Sequence, residues 1–381
     1  MNTSLRIAAF MALFILIQSV VYGKFPESLI KENKELKARI VTLERDNKIL
    51  MIGGGFCLLL LSVGIVYSIM KKRQQKKNKK RQLTQTDSPE LSMKNLITSD
   101  QWLVLAASVI GKAHVKMNLP CQDSHYKLPL ENNWGIAVVC DGAGSAKNSQ
   151  IGSVFIAKEA APRYFKALVE REKWIEKKIL PSSDKWDELA RVELINCYGA
   201  LKIFAEHREL DFSSLACTII AVVYSPLGLL VTHIGDGRAG FKDKKWFPAM
   251  IPHKGEEANQ TIFLTSKGWV NNPDLKLSGV SVPESRVITK PVEAFVLMSD
   301  GCENHSFKCS DFDEVNQIWT DPNIPSDTFF NPLIEQMPDL EKEVGQKINE
   351  KWEKFLENGL ESLENEPDDK TMILGLKHGN L

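Results

Sequence analysis

Three stretches of the chain end alike: Trp134–Gly142 reads WGIAVVCDG, Leu229–Gly237 reads LLVTHIGDG, and Ala294–Gly301 reads AFVLMSDG. Each is a short run rich in apolar and β-branched residues, the composition of a buried strand. Each delivers an aspartate at its end and follows it with glycine, which lets the chain turn sharply or lets a backbone carbonyl approach a ligand. Working outward, a fourth acidic pair, Asp368-Asp369, precedes the last apolar run, TMILGL. A further aspartate, Asp123, follows the Pro120-Cys121-Gln122 turn after the apolar run WLVLAASVIG.

Asp-Gly is also the commonest two-residue hairpin turn. At Asp236 that reading stands beside the functional one, because GRAGF (Gly237–Phe241) offers a return strand. The repetition favours a different explanation. Gathering several carboxylates costs electrostatic energy unless a cation sits between them. An all-oxygen cluster suits Mg²⁺ or Mn²⁺ rather than zinc. Cys302-x-x-His305-x-x-x-Cys309 is the nearest thing to a soft-metal set, and it lacks a fourth ligand at useful spacing. The seven cysteines include no CxxC pair, which excludes a disulfide framework and fits a reducing compartment for the large domain.

The chain has 381 residues and a formal net charge of zero. The zero hides a split: KKRQQKKNKKR (Lys71–Arg81) carries eight basic residues and no acid, so the remainder sums to −8. An acidic remainder argues against nucleic acid as a partner. The basic run follows Ile49–Met70, 22 residues without a charge, which is the length a bilayer requires. Positive flanks stay on the cytoplasmic side, so the sequence predicts a spanning helix over 51–70 with everything after it cytoplasmic. Residues 1–23 fit either a cleaved signal peptide or a first spanning helix.

Residues 24–50 read as a stalk. Leu29, Leu36, Leu43 and Leu50 recur every seven residues, with Asn33, Ile40 and Asn47 at the other core position. Leucine at d with asparagine at a is the pattern of parallel two-stranded coiled coils, and Glu32–Lys37 and Arg39–Glu44 add complementary flanking charges. This predicts a parallel homodimer through residues 29–50. Residues 71–99 are the basic segment and a tether, and 100–381 form the large domain.

The series NLPCQD, VVCDGAGS, HIGDGRAG, LMSDGCEN and PDDKTMIL, in this order between Gly111 and Leu376, resembles the type 2C (PPM-type) metal-dependent protein serine/threonine phosphatases, in a divergent bacterial branch. The resemblance implies an α+β fold: an α-β-β-α sandwich of two antiparallel sheets flanked by helices. Helical stretches near 150–178, 185–209 and 339–363 can supply the flanks, while residues 302–367 read as a long, mostly helical insertion. The resemblance also implies a centre of two Mg²⁺ or Mn²⁺ ions. Asp141, the Gly142 carbonyl, Asp300 and Asp368 match metal ligands, with Asp369 in a supporting place. Asp123 matches the acid that orients a metal-bound water and is counted with the metal residues, and Asp236 matches the residue that helps some members hold a third, weaker metal. The implied chemistry is hydrolysis of phosphoserine and phosphothreonine in proteins by an activated water, with no covalent phosphoenzyme. Substrates would be phosphoproteins, the targets of a serine/threonine kinase.

Two departures stand out. Gln122 occupies the place of the family's glutamate, and Asn118 the place of its phosphate-binding arginine. Lys112, His114 and Lys116 are the candidates to replace that arginine, with His114 as proton donor or phosphate contact and Lys116 and Asn118 as substrate contacts. His114 also reads as a structural loop histidine. These departures keep a second reading open, a membrane-bound pseudophosphatase that binds phosphoproteins without turnover. The stalk has its own test: chemical crosslinking across residues 29–50 in membranes is expected to trap a dimer, and a chain that remains monomeric contradicts the coiled-coil reading.

Overall fold

The computed structural model describes residues 101–377, apart from 256–260, 290, 315–316 and 342–345. The expected leader, stalk, spanning helix and basic tether lie outside the described residues. Among the described residues, no helix is long and apolar enough to cross a membrane.

Ten strands form two five-stranded antiparallel sheets. The first contains β1 (Trp102–Val109), β6 (Arg238–Asp243), β7 (Lys245–Pro248), β9 (Ala294–Met298) and β10 (Lys370–Lys377), in the order β1-β10-β9-β6-β7. The second contains β2 (Ser124–Pro129), β3 (Gly135–Cys140), β4 (Ile219–Ser225), β5 (Gly228–Ile234) and β8 (Glu284–Ile288), in the order β8-β5-β4-β3-β2.

The uninterrupted apolar runs follow from what covers them. Successive side chains on a strand point to opposite faces. On β3, Ala137 and Val139 meet β9's Phe295 and Leu297 in the core between the sheets. The alternate residues Ile136, Val138 and Cys140 pack outward against helices α3 (Ala161–Glu172) and α4 (Ser183–His207), through Phe165, Leu168, Trp186 and Leu194. A strand covered on both faces has no place for polar alternation. The Trp186 indole donates to the Val231 carbonyl at 2.8 Å and fixes α4 on β5.

The outward residues Ala294, Val296 and Met298 of β9 meet α5 (Asp327–Glu341) and α6 (Gln346–Asn358), through Phe330, Ile334, Trp352 and Leu356. The Trp352 indole donates to the Met372 carbonyl at 3.1 Å, tying α6 to β10. This corrects the reading of residues 302–367 as an insertion: their helices are the outer layer that keeps the first sheet dry. The helical stretch expected at 339–363 is divided: α5 ends at Glu341 and α6 covers Gln346–Asn358.

The hairpin reading of Asp236 fails as well. β5 belongs to the second sheet and β6 to the first, so Gly235–Gly237 carries the chain across the sandwich.

If α5 and α6 are structural, Leu356→Ala, which empties a fully buried position, lowers unfolding free energy by about 2–5 kcal/mol. Urea denaturation measures this; an unchanged midpoint would return the segment to the status of an appendage.

Candidate active site

The acidic residues gather where chain segments of both sheets meet. Asp141 follows β3 directly, Asp236 lies in the crossover between sheets, and Asp300 follows β9 after Ser299. Carboxylate oxygens of these three lie within 4.8 Å of one another. The backbone is fitted to that convergence. A side-chain carbon at Gly142 would come within 2.6 Å of the Gln122 carbonyl, and one at Gly301 would strike the Asp369 carbonyl. At these positions glycine serves close approach of neighbouring chain rather than a tight turn. Thr218 clamps Asp141: its hydroxyl accepts from the Asp141 N–H at 3.0 Å, and its own N–H donates to the Asp141 carbonyl at 2.8 Å.

The crossover has its own clasp. The Gly235 N–H donates to His253 Nδ1 at 3.3 Å, and the His253 N–H donates to the Gly235 carbonyl at 2.9 Å. Burial pushes His253 down to about 4, which keeps the ring neutral and Nδ1 able to accept. Arg238, fully buried two residues after Asp236, donates to Glu303 at 2.7 Å, Asn323 at 2.7 Å and Asp321 at 2.6 Å. Its charge is therefore committed to holding Glu303 and Asp321 against β6.

The electrostatics run against a bare cluster. Burial, then the neighbouring Asp236, Asp368 and Asp123, push Asp300 up to about 8. Burial and the surrounding carboxylates raise Asp141 well above the usual range. Burial, and secondarily Glu303, raises Asp236. Asp123 is pushed up to about 7, mainly by burial, although the Ser299 hydroxyl donates to it at 2.7 Å. Asp368 stays outside the close set at an exposed position, near enough to act electrostatically on Asp141 and Asp300. All-oxygen donors that repel one another in partial burial fit a hard divalent cation. Gln122 Oε1 is also buried without a hydrogen-bond partner, beside Gly144 in the loop after Asp141. A neutral oxygen left this way is a further available donor.

Asp369 supports the centre from behind. Its carboxylate accepts from the Gly111 N–H at 2.7 Å and the Gln122 N–H at 2.6 Å, fixing the segment that carries Asp123. His114 Nδ1 lies 2.9 Å from the same carboxylate. The His114 ring is buried against this carboxylate without forming a hydrogen bond to it, and it also acts electrostatically on Asp368. Its helix α1 (Lys112–Met117) ends at Asn118, which adopts a left-handed backbone with φ 54°. Asn118 and Lys116 are exposed, and Lys116 makes no ion pair among the described residues. Lys112 pairs with Glu364 and Asn365. The soft-metal set dissolves: His305 pairs with Glu366 at 2.8 Å and Cys302 is fully buried. Sequence reasoning missed Ser299, Thr218 and Thr371. Ser299 and Thr371 lie inside the quoted LMSDGCEN and PDDKTMIL stretches, and the Thr371 N–H donates to the Ser299 hydroxyl at 3.0 Å, whereas Thr218 carries no sequence signal.

The family model described as Protein phosphatase 2C matches residues 110–357. Serine/threonine-protein phosphatase 3 of Escherichia coli (strain K12) is 26% identical over 285 residues, covering 72% of this chain and 98% of the relative. Among solved structures, the serine/threonine phosphatase Stp1 from Staphylococcus aureus aligns at 14% identity over 76% of this chain and 98% of its own, with a TM-score of 0.42. The catalytic domain of the serine threonine protein phosphatase PstP, in complex with two manganese ions, aligns at 15% identity over 73% and 98%, with a TM-score of 0.41.

Carboxyls held near 7 and 8 are partly protonated at neutral pH, so a cation binding among them must displace protons. Mn²⁺ uptake at pH 7 is therefore expected to release protons, and affinity to rise from pH 6 to pH 8. Without metal the sign is the reverse. A carboxyl raised in the folded state stabilises the fold below its unfolded value, and that contribution is lost as pH rises through about 8 for Asp300. Calorimetry in buffers of different ionisation enthalpy measures the released protons. Affinity that is flat across this pH range would contradict the assignment of raised carboxyls to the centre.

Proposed function

The chain belongs to the protein phosphatase 2C family, a family of protein serine/threonine phosphatases, and from that premise we propose that it hydrolyses phosphoserine and phosphothreonine in proteins at the Asp141–Asp236–Asp300 centre. The observation that carries the reading is the convergence of those three carboxylates within 4.8 Å. Asp141, Asp236 and Asp300 are the residues to hold Mg²⁺ or Mn²⁺, with Asp368 and the Gly142 carbonyl at the margin. Bound there, two such ions, with a third weaker one near Asp236, would supply activation of a water nucleophile and neutralisation of phosphoryl charge.

The chain's own residues account for the remaining needs. Asp123, titrating near 7 and oriented by Ser299, is suited to accept a proton at its carboxylate from the attacking water. Asp369 keeps Asp123 in place through the Gly111 and Gln122 amides. Lys116, exposed and unpaired among the described residues, is the cation to meet the phosphoprotein from solution. The apolar run Ile49–Met70 and its basic flank support anchorage with this domain on the cytoplasmic side.

A second reading has one observation in its favour. Gln122 presents a neutral oxygen where the family carries a glutamate, which lowers the charge available to a second cation. In that reading the domain binds phosphoproteins without turnover. The two separate in one assay of the full chain, Mn²⁺-dependent phosphate release from a phosphothreonine peptide. Wild type is expected to be active. Asp141→Asn is expected to lose more than the roughly 10–100-fold that removal of an outer-shell partner costs at metal sites. An inactive wild type, or an Asp141→Asn variant as active as wild type, refutes the phosphatase reading.

A further inference from the structure

Away from the acidic centre, the edge strands β1 and β2 face each other across an open side of the sandwich. Between them and α6 lies a cavity of about 250 Å³. Its polar lining is Ser108 from β1, His125 and Lys127 from β2, and Asn349 and Glu353 from α6; two alanines of β1 complete the wall. Drug-sized pockets occupy about 300–1,000 Å³, so this one suits a ligand of a few heavy atoms.

Lys127 identifies the kind of ligand. Its ammonium donates to the Val104 carbonyl and to Asn349 Oδ1 at 3.4 Å, both neutral acceptors. Among the described residues no carboxylate pairs with it. A half-buried ammonium whose direct partners are all neutral keeps positive charge facing the cavity, where Glu353 is the one carboxylate of the lining. Lys158 lies near enough to His125 to act on it electrostatically, so a second ammonium adds to the local field.

His125 supplies the directional contact. Its Nδ1 is bonded to the Ser108 hydroxyl at 2.8 Å, and Ser108 in turn receives the Thr371 hydroxyl at 2.7 Å. This chain fixes the ring and leaves Nε2 as its atom without a partner among the described residues, on a side chain that lines the cavity. Thr371 also lies against Asp123, so the cavity sits two hydroxyls from the acidic centre.

We infer that this cavity binds a small oxyanion, phosphate or carboxylate, between the Lys127 ammonium and the His125 ring. The site differs in sign from the acidic centre, which draws cations, and the assignment does not depend on phosphatase activity. Glu353, exposed at the rim, opposes the anion and provides an independent handle.

The test uses the full chain stripped of divalent cations by chelation, so that no metal at the acidic centre can hold phosphate. Inorganic phosphate, and acetate in a parallel arm, are titrated calorimetrically. One saturable site is expected. Lys127→Met is expected to weaken it about tenfold or more, measured on protein whose circular dichroism shows it folded. Glu353→Gln, on an exposed helical face, is expected to tighten it about two- to fivefold, and it carries the test if the lysine variant does not fold. Binding of phosphate alone assigns the site to phosphate; binding of both ligands assigns it to oxyanions in general. No saturable binding to wild type, unchanged affinity in Lys127→Met, or no tightening in Glu353→Gln overturns the inference.

Discussion

Mutual repulsion among half-buried carboxylates is the constraint on which the rest of this domain depends. Asp141, Asp236 and Asp300 sit close together in a partly desolvated site, where burial first and neighbouring carboxylates second raise the titration of each. Something must hold them there. The sandwich does so by bringing β3, β9 and the crossover between sheets to one place, with glycines where neighbouring backbones nearly touch. Three packed layers of side chains fix those strands, so the cost is met by burial elsewhere in the fold.

The supporting contacts share a logic: polar groups around the centre are already engaged with one another. Asp369 binds two amides, Thr218 binds both sides of the Asp141 peptide, His253 binds both sides of Gly235, and Arg238 spans Glu303, Asp321 and Asn323. What remains is the cluster itself, together with Gln122 Oε1, His114 Nδ1, Ser124 Oγ and Ser149 Oγ, which have no hydrogen-bond partner among the described residues. A preorganised set of oxygen donors in rigid surroundings is what a metal-dependent hydrolase requires, because little reorganisation is then needed during reaction.

Much of this was legible in the sequence, for physical reasons that differ by element. Strands such as Gly135–Cys140 and Ala294–Met298 announced themselves because both faces are covered, which leaves long apolar runs. The acids at their ends were legible because repetition of Asp-Gly is hard to explain by turns alone. The partner of a strand was not legible: Asp236 looked like a hairpin tip because GRAGF can pair locally, whereas β6 joins the other sheet. Residues 302–367 looked inserted because their helices mix charge with scattered aromatics. Only the packed structure shows Phe330, Trp352 and Leu356 meeting the first sheet. His114 carried no sequence signal distinguishing a catalytic ring from one held against a buried carboxylate, since the carboxylate, Asp369, lies 255 residues further along the chain. Thr218 acts through a hydroxyl that no spacing rule singles out.

The central claim is that the acidic centre is built to hold divalent cations. Its most direct test is a crystal of the protein grown with Mn²⁺ and measured at a wavelength where manganese scatters anomalously. The account predicts strong anomalous density among the carboxylates of Asp141, Asp236 and Asp300, at metal–oxygen distances of about 2.0–2.3 Å. A well-ordered crystal with folded strand ends and no anomalous density there would contradict it.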